Sequence, residues 1–154
     1  VPEPITRRLY FKSYLAAIRN SLGSNLFRNF YVHNDLKGDF DATSDGQNSC
    51  AFFVSGLLVM FGQLEDLHGT VDGTIQDLVH SGWKEVSNAK AGDIVVWEGL
   101  KYDDGVHKHI GFSLGNGRAV SMSWTEKCPN EHDEYFNQAD RKIDHIFRTT
   151  HWDN

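Results

Sequence analysis

Residues 48–62, Asn-Ser-Cys-Ala-Phe-Phe-Val-Ser-Gly-Leu-Leu-Val-Met-Phe-Gly, constrain the fold more than any other stretch. From Cys50 to Phe61 the side chains are almost all apolar or small, so the segment must be buried. Periodicity alone does not separate a buried strand from a buried helix. The length of the run, Asp45, Asn48 and Ser49 as cap candidates, and Gly62 as a stop favour a helix. In that helix Cys50 occupies the first turn, where unpaired N–H groups and the dipole lower a thiol pKa and favour the thiolate. The same residue also fits an ordinary core thiol, because free cysteine is among the most buried residue types.

The chain has 154 residues, 40% hydrophobic and 12% aromatic, enough for one core and one domain over 1–154. A formal charge of −6 and the absence of any basic cluster beyond Thr6-Arg7-Arg8 argue against nucleic acid as a partner. No run approaches the roughly 20 apolar residues of a membrane span, and Val-Pro-Glu-Pro at the start lacks signal-segment character. A monomer is expected. Cys50 and Cys128 are the two cysteines and could form one disulfide, although Cys50 opens an apolar run and Cys128 sits in a polar stretch. The redox compartment stays open.

Taken in order, Ile5–Leu22 shows helical spacing through Leu9, Tyr10, Tyr14, Leu15, Ile18 and Leu22, with Gly23 as a stop. Leu26–Val32 is a short strand or turn, and 33–48 reads as a long polar loop. After the Cys50 segment come a short helix over Thr74–His80 and a brief extended piece over Trp83–Val86. Ile94–Trp97 then reads as a buried strand, 98–105 as an acidic loop, and His109–Leu114 as a strand. Gly115-Asn116-Gly117 is a hairpin turn into Arg118–Met122, residues 123–141 form a polar loop, and Ile143–Thr149 is the last strand. Helices followed by an antiparallel meander make an α+β fold. The divisions are an N-terminal helix and loop (1–47), a core (48–123) and a C-terminal loop and strand (124–154).

An activated thiol needs a base to take its proton and return it to the leaving group. His109, at the mouth of a strand, is the best placed of the eight histidines. His107 shares its strand face if the strand begins early. His107 and His109 with Asp103 and Asp104 could also share a metal, but this spacing is common by chance, and no metal or cofactor is expected. Trp83, Trp97 and Trp152 are core or cleft wall, whereas Trp124 follows the site strand and is a substrate-contact candidate.

Three segments carry a family resemblance. Ser49-Cys50-Ala51-Phe52-Phe53-Val54 resembles the Asp-Cys-Ser-Gly-Phe-Val nucleophile segment of the NlpC-type bacterial cell-wall cysteine peptidases. Ala91-Gly92-Asp93-Ile94-Val95-Val96-Trp97 is similar to the Pro-Gly-Asp-Leu-Val-Phe-Phe strand that follows in that family. His109-Ile110-Gly111-Phe112-Ser113-Leu114-Gly115-Asn116-Gly117 resembles its His-Val-Gly-Ile-Tyr-Leu-Gly-Asn-Gly hairpin. The segments keep the family's order across roughly 48–123. The resemblance implies a papain-like fold, N-terminal helices packed on a small antiparallel sheet, with Cys50 as nucleophile and His109 as base. It implies a peptidoglycan peptide as substrate, cleaved by an endopeptidase or amidase, and a secreted, periplasmic or envelope location.

Beyond the pair the carry-over is uneven. Counting along the hairpin puts Ser121 at the position that orients the base, and Ser123, Asn130 or His132 are alternatives from the following loop. Tyr31 is a weak match to an oxyanion-binding tyrosine, and the backbone N–H of Cys50 is a better donor. Ser49 replaces the family's aspartate beside the cysteine, removing a carboxylate that could meet a free amino group. That loss, with serine at 121, keeps open a rival reading, a non-catalytic module that binds cell-wall or protein ligands.

Overall fold

The computed structural model describes residues 1–136 and 141–152. Three helices precede most of the sheet: α1 (Tyr10–Asn20), α2 (Cys50–Met60) and α3 (Val71–His80). A six-stranded antiparallel sheet runs in the order β3 (Lys84–Glu85), β8 (Ile143–Arg148), β4 (Ile94–Tyr102), β5 (Gly105–Gly115), β6 (Arg118–Met122), β7 (Pro129–Asp133). A separate hairpin, β1 (Tyr31–Asn34) and β2 (Gly38–Asp41), stands apart from it. The fold is α+β.

The apolar run is a helix, as its length and flanks predict. Ala51, Phe53, Val54, Leu57 and Leu58 are buried along it. Alternation along the strands divides the interior between the two faces of the sheet. Ile94, Val96, Ile110, Phe112, Val120 and Met122 join α1, α2 and α3 in the main core. Val95, Trp97 and Ala119 face the other way and pack with Ala89, Phe136 and Ile143. Tyr14 ties α1 to the strand entry, its hydroxyl donating to the Gly92 carbonyl at 2.7 Å.

Several elements differ from the sequence reading. α1 starts at Tyr10, five residues later than its apolar spacing suggests, with Leu9 at its cap and no side-chain capping bond. The loop expected over 33–48 contains most of the β1–β2 hairpin. The acidic stretch 98–105 is the tip of a long β4–β5 hairpin, paired as far as Tyr102 opposite Gly105. Pairing with a neighbour there overrides poor strand propensity. The same holds for β7, Pro-Asn-Glu-His-Asp, which lies within the expected loop over 123–141 and pairs along β6. The last strand does not extend the meander but inserts between β3 and β4.

Candidate active site

Cys50 opens α2 after Ser49, and its N–H lies among the first helical donors, which have no carbonyl partner in the preceding turn. The approach to this turn is tied down by Asp41. Its carboxylate accepts from the N–H groups of Phe30, Thr43 and Asp45 and from the Asn29 amide. Arg28 grips Asp45 through two nitrogens at 2.9 and 3.0 Å. Asp45 is therefore committed to a guanidinium rather than to capping α2. Ser49 is fully buried and donates its hydroxyl to the Phe27 carbonyl, so it anchors the loop and is not placed to meet substrate.

Cys50 and His109 line one cleft of about 850 Å³, together with Ser121, His107, Trp124 and His132. The N–H of Ile110 acts on the Cys50 sulfur, which places the thiol against β5 one residue from His109. The His109 ring packs against Trp97, at 5.5 Å, and Phe136, at 5.8 Å, on the sheet face opposite Ile110. Gly111 makes this arrangement possible. A Cβ there would sit 2.6 Å from the Val120 carbonyl oxygen and 2.7 Å from the Ser121 Cβ. The close approach of β5 and β6 brings Ser121, opposite Gly111 in register, within reach of His109.

A hydrogen-bond chain leads away from His109. His109 Nε2 is 2.9 Å from Ser121 Oγ, which is 2.7 Å from His132 Nε2. His132 Nδ1 is 2.7 Å from the Asp133 carbonyl oxygen. A carbonyl only accepts, so His132 Nδ1 carries a proton, and in the neutral ring Nε2 is then the acceptor. Ser121 therefore donates to His132, and its oxygen accepts from His109 Nε2–H. The neutral His109 is left with its lone pair on Nδ1. The direction of the chain follows from one backbone carbonyl and the histidine tautomers it forces.

Burial pushes the Cys50 thiol pKa up, and the N–H groups of Ile110, Ala51 and Cys50 itself and the charge of Arg141 offset this only in part. Burial also pushes His109 down to about 3, with Arg141 and His132 adding to the shift. The expectation that the helix terminus favours a resting thiolate is thus corrected. Desolvation outweighs the backbone N–H groups at the helix start, and both shifts favour the neutral thiol and the neutral imidazole.

The other candidates separate clearly. His107 lines the cleft but is held by Asp104 at 2.7 Å. Trp124 is exposed on the rim, its ring parallel to Tyr102 within 2°. Tyr31 lies on β1, is 71% exposed and does not line the cleft, so it is not an oxyanion donor here. Cys50 and Cys128 are both free, and no disulfide joins them. No group of three His, Cys, Asp or Glu among the described residues is placed to hold a metal ion. No helix among them is long and apolar enough to cross a membrane. Arg141, Phe136, Tyr102 and the Lys108–Asp72 pair also line the cleft, and nothing in the sequence pattern marks them. No protein-family model matches the chain, and no curated protein matches it.

Proposed function

We propose that the chain is a papain-like cysteine hydrolase that cleaves an amide bond of peptidoglycan, either within the stem peptide or between sugar and peptide. The observation that carries this reading is the His109–Ser121–His132 chain, which leaves an unprotonated Nδ1 on His109 in the cleft that Cys50 lines. The three segments that resemble NlpC-type peptidases supply the substrate class.

In the proposed reaction, His109 Nδ1 takes the thiol proton as the Cys50 sulfur bonds to the amide carbon. The carbonyl electrons move onto oxygen, where the Cys50 N–H stabilises them. Collapse of this intermediate breaks the C–N bond, and the imidazolium gives its proton to the departing amine. Water, deprotonated by His109, then attacks the thioester, releasing the acid and restoring the thiol. Because the pair rests neutral, proton transfer accompanies attack rather than preceding it. The imidazolium persists only while the tetrahedral oxyanion or the sulfur balances it.

The test is digestion of purified peptidoglycan by the wild type and by Cys50→Ala, with released fragments read by mass spectrometry. New amine and carboxyl ends from the wild type alone support the reading and identify the bond. Equal, negligible release from both favours the binding module.

A further inference from the structure

Among the described residues two permanent cations line the cleft, Lys108 and Arg141. Lys108 is neutralised by Asp72 at 2.7 Å. Arg141 is not. It donates from Nε to the Glu98 carbonyl at 3.1 Å and from Nη2 to the His107 carbonyl at 3.0 Å. These neutral acceptors hold the guanidinium in place without cancelling its charge, and Arg141 forms no ion pair among the described residues. The Glu98 carboxylate is turned to the N–H of Lys142 at 3.0 Å. Glu131, the other acid lining the cleft beside Asp72, is paired with Arg118 at 3.1 Å. Among the described residues every acid on the cleft wall is thus spoken for, while a fixed positive charge stands close enough to act on both Cys50 and His109.

A cation here opposes the imidazolium that the reaction needs, so it makes little sense as an aid to the base. It makes sense as a receptor for an anion, and a planar fork with free N–H groups suits a carboxylate. We infer that Arg141 forms an anion subsite beside Cys50 that binds a carboxylate flanking the scissile amide of the substrate. The inference rests on the hydrolase reading for the word substrate, but the site itself does not depend on turnover. Binding of the carboxylate also offsets the charge that disfavours His109 protonation, so the occupied site is the one in which the base works best. The carboxylate can belong to the acyl side of the bond or to the departing amino acid.

Alkylation reads the site without turnover. Rates for iodoacetate and iodoacetamide are measured at Cys50, located by peptide mapping, with Cys128 of the same chain as the internal reference. The iodoacetate-to-iodoacetamide ratio should be about tenfold higher at Cys50 than at Cys128, as expected for one close unscreened charge. It should fall to the reference in Arg141→Gln and be largely kept in Arg141→Lys. A ratio at Cys50 that Arg141→Gln leaves unchanged overturns the inference. If Cys50 reacts with neither reagent, the nucleophile reading fails, and the subsite is read in Cys50→Ala by NMR titration with N-acetylglycine against N-acetylglycinamide. Saturable shifts at His109 with the carboxylate alone support it, and equal or absent shifts overturn it. For an active enzyme, substrates amidated on the acyl side or on the leaving side show which carboxylate is read, by a rise in KM that Arg141→Gln abolishes. No rise from either amidation contradicts the inference.

Discussion

Ser121 Oγ and His132 Nε2 lie 2.7 Å apart, and this contact directs the proton on Ser121 away from His109. In the proposed reaction His132 acts on His109 through the serine. It is a positioning residue, held in its own tautomer by the Asp133 carbonyl.

Replacing His132 by Ala should release the Ser121 proton to point back at His109 and favour the tautomer with Nε2 as acceptor. General bases contribute roughly 10²- to 10⁴-fold, and a partial loss of the correct tautomer should cost about tenfold in kcat with little change in KM. ¹⁵N chemical shifts of the His109 ring check the cause. Nδ1 should be the unprotonated nitrogen in the wild type, and the variant should show mixed protonation. Unchanged ring shifts would leave His132 a structural role only.

The pH dependence of thiol alkylation follows from the directions of the two shifts. Burial raises the Cys50 pKa and lowers that of His109 to about 3. Reaction of Cys50 with iodoacetamide should therefore climb as the pH rises beyond the range of an ordinary thiol. It should show no plateau between about pH 4 and 8, the signature of a preformed thiolate–imidazolium pair. Rate constants measured from pH 4 to 10 on the wild type decide between the two.

Much of this site is legible in the chain because Cys50, His109 and Ser121 sit on strongly patterned elements. The apolar run from Cys50 and the alternating β5 and β6 strands leave their buried faces little choice. What escapes the sequence is supplied by the ladder and by polar loops. β7 has a composition unsuited to strands and forms because β6 offers it an edge, which turns His132 from one of several candidates into a defined partner. Ser49 reads as a cleft residue by position, yet its hydroxyl is turned inward to the Phe27 carbonyl, a direction no spacing reveals. Arg141 reaches the cleft by bridging the carbonyls of Glu98 and His107, residues more than thirty positions earlier in the chain.

Acid should destabilise the fold in two stages. The folded pKa values of His109 and His132 lie below the ordinary 6.5, so the unfolded chain binds these protons first. Their contribution is complete above about 6.5 and is lost as the pH falls toward 3. Asp41, Asp45 and Asp77 have folded values below the ordinary 3.8, so their contribution is present above 3.8 and lost beneath it. Hydrogen bonds hold Asp41 and Asp77 down against the effect of burial, and Arg28 holds Asp45 down. Urea denaturation at pH 7, 5 and 3.5 should show a declining midpoint, and His132→Gln should flatten the upper stage.

Gly111→Ala should cost about 1–3 kcal/mol, the usual range for overpacking. Its new Cβ would meet the Val120 carbonyl oxygen at 2.6 Å, and backbone yields less readily than a side chain. Relief by moving β6 away would lengthen the His109–Ser121 contact, so activity should fall further than stability. Denaturation midpoints and kcat measured on the same preparation check both effects.

The central claim is that Cys50 carries the acyl group. The most direct test mixes wild-type protein with a peptidoglycan stem-peptide substrate, quenches in acid within the first turnovers, and maps the chain by mass spectrometry. The account predicts a thioester adduct on the Cys50 peptide, sensitive to hydroxylamine, absent in Cys50→Ala and accompanied by release of one amine per adduct. Amine release with no adduct on Cys50, undiminished in Cys50→Ala, would contradict it.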